Sequence, residues 1–306
     1  MSAIWGRAYR LQVGDDAEVL ELDGFAGNAA RVAFNVSTFV NSPLALAQIT
    51  VYGLGRESRR DLYKRYDLVR LTAGYRDKFA MIFDGEIYNV AVGRDGPETF
   101  VTLHCRSMGE RYDNAYINRT WGNNTPPRDV ITDVAATLAD AVELVGDFDK
   151  LPKMLNGETL STGSKQAMRS LAQRYDLTWH IDSAGTLVVA MPDAVRNEQP
   201  VARIAADTGM IGSPTITQRG IDVRSTMRSD IQPSDVIVVE NTTGELAFSN
   251  PTGARFSDTI GTGAYQVIGV THSGDTYADD WSTLLECLVW EAGATTARTT
   301  TLTRGQ

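Results

Sequence analysis

The sequence predicts a mainly β protein with an α/β insert, an α+β chain in which two antiparallel β blocks flank a small helix-containing domain. Three observations predict it. About seven short runs of alternating apolar residues fit into the first 110 residues, the spacing expected of a sandwich or barrel. After Met108 the apolar spacing becomes helical. From about residue 200 the strand texture returns, with Thr-Gly dipeptides between runs. The domains expected are residues 1–110, 111–200 and 201–306.

In the first block, residues 4–13 and Val19–Leu22 form two strands around an Asp15-Asp16 turn, the second stopped by Asp23-Gly24. Residues 31–40 place Val32, Phe34 and Val36 on one face, and residues 45–53 give another strand. A charged helix follows over Arg56–Tyr66. Strands at 67–74, 79–92 and 98–105 complete the block, with a hairpin signal at Phe83-Asp84-Gly85-Glu86.

In the insert, Trp121–Pro127 reads as a loop. Val130, Ile131, Val134, Leu138, Ala141, Val142 and Val145 recur at helical spacing up to Gly146. A polar loop runs to Gly163, and Ser164 caps a second helix with Ala167, Met168, Leu171 and Ala172 on one face. A hairpin follows, 178–182 and 186–190 around Ser183-Ala184-Gly185. In the last block the strands expected are 201–206, 214–223, 235–241, 245–248, 264–273 and 281–290, and the tail 295–306 reads as loose.

Composition narrows the function. Hydrophobic residues make up 42% and charged residues 22%, values that exclude wholesale disorder. Twenty-nine basic against 38 acidic residues leave a net charge of −9. The three spans carry about −1, −3 and −5. Such a chain repels phosphate backbones, so gripping nucleic acid by charge is disfavoured, whereas a channel that nucleic acid passes without sticking suits it. The two cysteines, Cys105 and Cys287, lie in apolar runs and read as buried free thiols rather than a disulfide framework. No apolar run approaches the ~20 residues that span a bilayer, and the first residues show no secretory signal.

Searches for chemistry return little. Gly157–Lys165 imitates a phosphate loop, but five residues separate its glycines and Ser, not Gly, precedes the Lys; it reads as a loop into a helix. His104 and His180 read as satisfied strand histidines. His272, with Asp275, Asp279 and Asp280 nearby, reads as part of a solvated turn or a local cap, lacking the alternating carboxylates of a calcium loop. Cys105 follows His104 directly, but strand neighbours face opposite ways. The carboxylates fall in turns and on helix faces. We therefore expect no catalytic, cofactor-binding or metal residues. The strongest local anomaly is Arg56, Arg59, Arg60, Lys64 and Arg65, a basic cluster in an acidic chain. Helical spacing aligns Arg56, Arg60 and Lys64, either as a solvated face helped by Glu57 and Asp61 or as a docking patch for an acidic partner.

Four passages resemble one family. Residues 43–55 with Glu57-Ser58 resemble the strand and short helix of a first tail-type domain. Residues 73–90, Ala-Gly-Tyr through Ile-Phe-Asp-Gly-Glu-Ile, resemble its hairpin. Residues 207–220 resemble the opening of a second barrel, and His272 through Trp281-Ser282-Thr283 its closing stretch. In this ordered combination the chain resembles the baseplate hub proteins of contractile-tailed bacteriophages, the gp27-like and late control protein D-like group. The resemblance implies two antiparallel β-barrels per subunit and a homotrimer with pseudo-sixfold symmetry. It implies a hexameric tail tube or tube-initiator protein on one side, a trimeric tail spike on the other, baseplate wedge proteins around, and DNA only as passing cargo. It implies a virion protein assembled in the host cytoplasm, without membrane insertion and without catalytic residues. The competing expectations are a tail-associated cell-wall or polysaccharide-degrading enzyme and a sugar- or receptor-binding module.

Overall fold

The computed structural model describes residues 6–14, 19–24, 29–64, 67–217, 220–241, 247–248 and 261–290, with the side chains of 63, 64, 247 and 248 left out. The Asp15-Asp16 turn, the Thr243-Gly244 and Thr252-Gly253 turns and the 295–306 tail lie outside these residues.

The amino-proximal block holds β1 (Arg7–Gly14), β2 (Val19–Asp23), β3 (Val32–Phe39), β4 (Leu46–Tyr52), helix α1 (Arg56–Lys64), β5 (Leu68–Tyr75), β6 (Lys78–Asp95) and β7 (Glu98–Arg106). Alternation makes the strands. In β3, Val32, Phe34 and Val36 are buried, and Ile49, Val51, Val101 and Leu103 meet them from β4 and β7. The pairing order is β3-β4-β7-β6-β5-β1-β2, antiparallel throughout. The Asp84-Gly85 turn expected from sequence is instead the middle of the long strand β6. Gly85 is there for close approach: a Cβ on it would lie 2.3 Å from the Arg106 carbonyl oxygen. The chain reverses at Arg76-Asp77 and Gly96-Pro97.

The insert holds α2 (Glu110–Asn114), β8 (Tyr116–Trp121), α3 (Pro127–Leu138), β9 (Val142–Val145), β10 (Glu158–Gly163), α4 (Ser164–Tyr175), β11 (Thr178–Ile181) and β12 (Leu187–Ala190). Three readings from sequence fail here. Helix α3 ends at Leu138, where Ala139 turns extended, and Val142–Val145 pairs in parallel with β12. The apolar spacing ran on past the helix because Val142 and Leu144 of that strand pack against the helix core around Val130, Ile131, Val134, Met168 and Leu171, while Val145 joins a small cluster with Val188 and Ala190. The supposed polar loop before Gly163 is strand β10, paired with β8. Gly163, not Ser164, is the N-cap of α4, and the Ser164 hydroxyl is buried without a partner among the described residues.

The carboxy-proximal block holds β13 (Ala202–Ala205), β14 (Thr215–Ile216), β15 (Gly220–Thr226), β16 (Val236–Glu240), β17 (Ala247–Phe248), β18 (Gly263–Asp275) and β19 (Trp281–Val289) around a third core that includes Ile221, Val223, Ile237, Val267 and Leu285. The expected run 214–223 is thus two strands, β14 and β15, antiparallel to one another. The pairing is mostly antiparallel, with β13·β16 and β14·β17 parallel.

The fold is mainly β, as expected, but the described residues form no closed barrel. Strands of both blocks belong to one fourteen-stranded sheet, joined where β18 pairs β3 from Gly269↔Phe39 to Asp275↔Ala33.

Candidate docking surfaces and the matched blocks

The sheet register places the two blocks in correspondence. Strands β1, β3, β4, β5, β6 and β7 pair in the order β3-β4-β7-β6-β5-β1; β13, β14, β15, β16, β18 and β19 pair in the order β14-β15-β19-β18-β16-β13. Chain order is preserved between the sets. The match extends to residues. In β6 a bulge follows Ile87, which faces Cys105; in β18 a bulge follows Val267, which faces Cys287. The Ile87 amide donates to the Asp67 carbonyl at 2.7 Å and the Val267 amide to the Asp235 carbonyl at 2.8 Å. Leu68 pairs Glu86 as Val236 pairs Gln266, and Ala47 pairs Cys105 as Ile221 pairs Cys287. A bulge adds twist and re-aims a strand, so bulges at the same place bend both sheets alike. One polarity differs: β1 runs antiparallel to β5, β13 parallel to β16.

The cysteines are buried free thiols, as expected. Burial pushes Cys105 up to about 12 and Cys287 higher still, so both are inert at neutral pH.

At the β18–β3 junction, Arg31 pairs with Asp275 at 2.8 Å, and the backbone bonds of Val40 to Ile268 and Thr276 to Val32 extend the ladder at both ends. Burial opposes ionisation of Asp275, but the Arg31 guanidinium and nearby backbone donors hold its pKa below the usual value. Trp281 reaches from β19 into the amino-proximal core, donating to the Gly74 carbonyl at 3.0 Å and meeting Phe34 edge-on at 5.3 Å. Gly274 makes room, since a Cβ there would lie 2.5 Å from the Phe34 ring.

His272 corrects the sequence reading. It lies in β18, 6% exposed, with Nδ1 2.9 Å from the Thr283 hydroxyl, not in a solvated turn. Its place in a strand agrees with the run expected over 264–273, which the reading of a solvated turn overlooked. Burial lowers its pKa to about 4. His180 is buried too and lowered to about 4, by burial first and the Arg196 charge second. Its Nε2 has no hydrogen-bond partner among the described residues, against the satisfied histidine expected there.

A buried polar joint ties insert to carboxy-proximal block, and no sequence signal marked it. Arg196, 10% exposed, pairs with Glu143 at 2.8 Å, stands 3.7 Å from Asp182 and bonds the Gln232 side chain. Asp182 accepts the amides of Ala184 and Thr186, both at 2.9 Å. Burial raises its pKa, opposed by those amides and Arg196. On the other side of the insert, the Asp84 amide donates to Ser183 and that of Ala45 to Ile181.

The carboxylates are not confined to turns and helices. Asp222 and Glu286 are cross-strand partners on β15 and β19. Burial raises both, and for Glu286 the Asp222 charge adds to it. Their matches in the other block are the neutral pair Gln48 and His104. Among the described residues no cluster of three or more His, Cys, Asp or Glu forms a metal site, and no helix is long and apolar enough to cross a membrane.

The basic cluster lies on α1. Arg56 and Arg60 are exposed one turn apart, Arg59 is half-buried, and Leu62 anchors the helix in the core. Arg60 stands 3.6 Å from Asp61. The Lys64 side chain and Arg65 lie outside the described residues.

With this geometry established, comparison with known proteins decides the family. The model of the family described as "Baseplate hub gp41" matches residues 27–241, well over half of the chain. The chain belongs to that baseplate hub family. This makes it a structural component of a bacteriophage tail, at the baseplate. A tail protein from Neisseria meningitidis has the same fold, with a TM-score of 0.59 at 12% identity over 93% of this chain and 97% of that one. The 43 kDa tail protein of prophage MuSo2 from Shewanella oneidensis gives 0.57 at 8%, over 92% and 97%. The E. coli c3393 protein, a type VI secretion component described as similar to the T4 tail proteins gp27 and gp5, gives 0.53 at 8%, over 92% and 77%. A search of curated proteins gives no significant match.

Proposed function

We propose that the hub is a homotrimeric ring of pseudo-sixfold symmetry joining the hexameric tail tube to the trimeric central spike, with baseplate wedge proteins around it and a bore through which DNA passes during ejection. One observation carries this reading: the two β blocks share strand order, register and bulge position, down to Cys105 and Cys287. Two like blocks per chain let three chains offer six similar positions to a sixfold tube. The three apolar cores support a division into residues 1–110, 111–200 and 201–306, with the two flanking domains as the tube-like ones. The role is structural, not catalytic, and the protein assembles in the host cytoplasm before joining the virion. The net charge of −9 would keep DNA from adhering to the bore. The basic cluster, Arg56, Arg59, Arg60 and Lys64 on helix α1 with Arg65 next in sequence, is a docking patch for an acidic baseplate partner.

The test is the solution mass of the full chain by light scattering, alone and with its spike. The expected value is three times 33.4 kDa. A monomer under both conditions overturns the reading.

A further inference from the structure

Between the insert and the loop that joins β3 to β4 lies an open cavity of about 400 Å³, within the range of small-molecule sites. Ala172 and Leu177 are buried beneath it, and Trp179 of β11 stands half-buried in its wall. Trp179 packs against the insert core, where the Tyr112 ring braces it with centroids 6.4 Å apart. The rim is polar. Arg169, Gln173 and Asp176 recur at four- and three-residue spacing along α4 and its C-cap, which sets them on one stripe, and Asn41 comes from the β3–β4 loop. All four are exposed, and among the described residues none of their side chains makes a hydrogen bond or ion pair. The other charged residues of α4 are paired, Lys165 with Asp113 at 3.0 Å and Arg174 with Glu158 at 2.6 Å.

Asp176 points furthest toward a ligand. It ends α4 in the left-handed region, with φ of 54°, where glycine is the usual residue. Its carboxylate also stands at the negative end of the helix, where a cation is favoured. Both features oppose stability, and no side-chain contact within the described residues offsets them. Local rules broken without internal compensation are expected where a side chain serves binding.

The rim also selects the ligand. Arg169 only donates and Asp176 only accepts, while Asn41 and Gln173 do both. An anion would meet Asp176 and a cation Arg169, so either would face a like charge. An apolar molecule would strip water from four polar groups and return no hydrogen bond. A neutral polyol answers every group, because each hydroxyl both donates and accepts. A saccharide adds to its hydroxyls an apolar C–H face that an indole ring covers. We propose that this cavity binds a short neutral saccharide, with Trp179 against its C–H face and Asn41, Arg169, Gln173 and Asp176 on its hydroxyls. The site lies outside the ring reading above and stands or falls without it.

The test is saturation-transfer NMR on the full chain with two neutral probes, cellotriose and chitotriose. The rim is open to water, so the expected dissociation constant is on the order of millimolar. Asp176→Gly separates binding from folding. It should weaken saccharide binding about tenfold and yet raise the midpoint of urea unfolding, because glycine adopts this backbone without strain. Gln173→Ala, on the exposed stripe, should weaken binding and leave the unfolding midpoint in place. No binding of either probe in the millimolar range overturns the proposal. So does unchanged binding in both variants, or tighter binding of a galacturonic acid or glucosamine trimer than of the neutral probes.

Discussion

Leu103 and Leu285 sit at the same place in the two blocks, two residues from Cys105 and Cys287 along their strands, and both are wholly buried. Val92 and His272 also match in position, yet one is open to solvent and the other enclosed. The amino- and carboxy-proximal blocks are thus alike inside and different at their edges. Packing around a bulged antiparallel core repeats with different side chains because volume and alternation suffice for it. Edges depend on what lies next to them. In one block a strand of the other block lies alongside, and in the other no described strand does.

The strongest way to break this comparison is to empty both cores. Leu103→Ala and Leu285→Ala should each lower stability in urea unfolding by about 3 kcal/mol. Matched blocks should lose similar amounts, and a loss confined to one would end the equivalence. Acid separates them next. His272 is buried neutral with a pKa near 4, below the ~6.5 of the unfolded chain, so the unfolded state binds the extra proton. Its contribution is present above pH ~6.5 and is lost as the pH falls toward 4. Between pH 7 and 5 the cost is about 2 kcal/mol, and His272→Val, which installs the residue found at Val92, should remove that share of the pH dependence. His180, in the insert, accounts for a similar share that this substitution leaves in place.

A smaller effect is expected at the junction. Asp275→Asn should cost about 1 kcal/mol by weakening the bond to Arg31, measured by the same unfolding curves. Smallest is Asp222→Gln, which gives the carboxy-proximal sheet the neutral residue that Gln48 supplies in the other. Removing a like-charge cross-strand contact should stabilise by about 0.5 kcal/mol and bring Glu286 down toward its ordinary pKa, visible by NMR titration.

Much of the fold was legible. Alternation located β3, β4, β7, β18 and β19 to within a residue or two, because each buries one face. The misreadings share a cause: local patterns do not say where the chain turns. Asp84-Gly85 has turn chemistry but answers the approach of the Arg106 carbonyl, while the real turn at Arg76-Asp77 has no glycine. Leu138, Val142 and Val145 keep helical spacing across a break in the helix. Strand β10 buries too little to show a pattern. The β18–β3 junction was invisible, since nothing in residues 32–39 signals a partner more than two hundred residues away. For the same reason the exposure of Val92 could not be read: it looks like a core residue, yet among the described residues no strand but β7 pairs with it. For the basic cluster, the helix and the charges were legible from spacing, and the structure adds that Leu62 pins the helix to the core.

The ladder between β18 and β3 removes any hinge between the blocks. Swinging one against the other would break backbone bonds from Val40 to Thr276 in a single step. Calorimetry should therefore register these two blocks melting as one cooperative unit, and a push delivered to either should reach the other undamped.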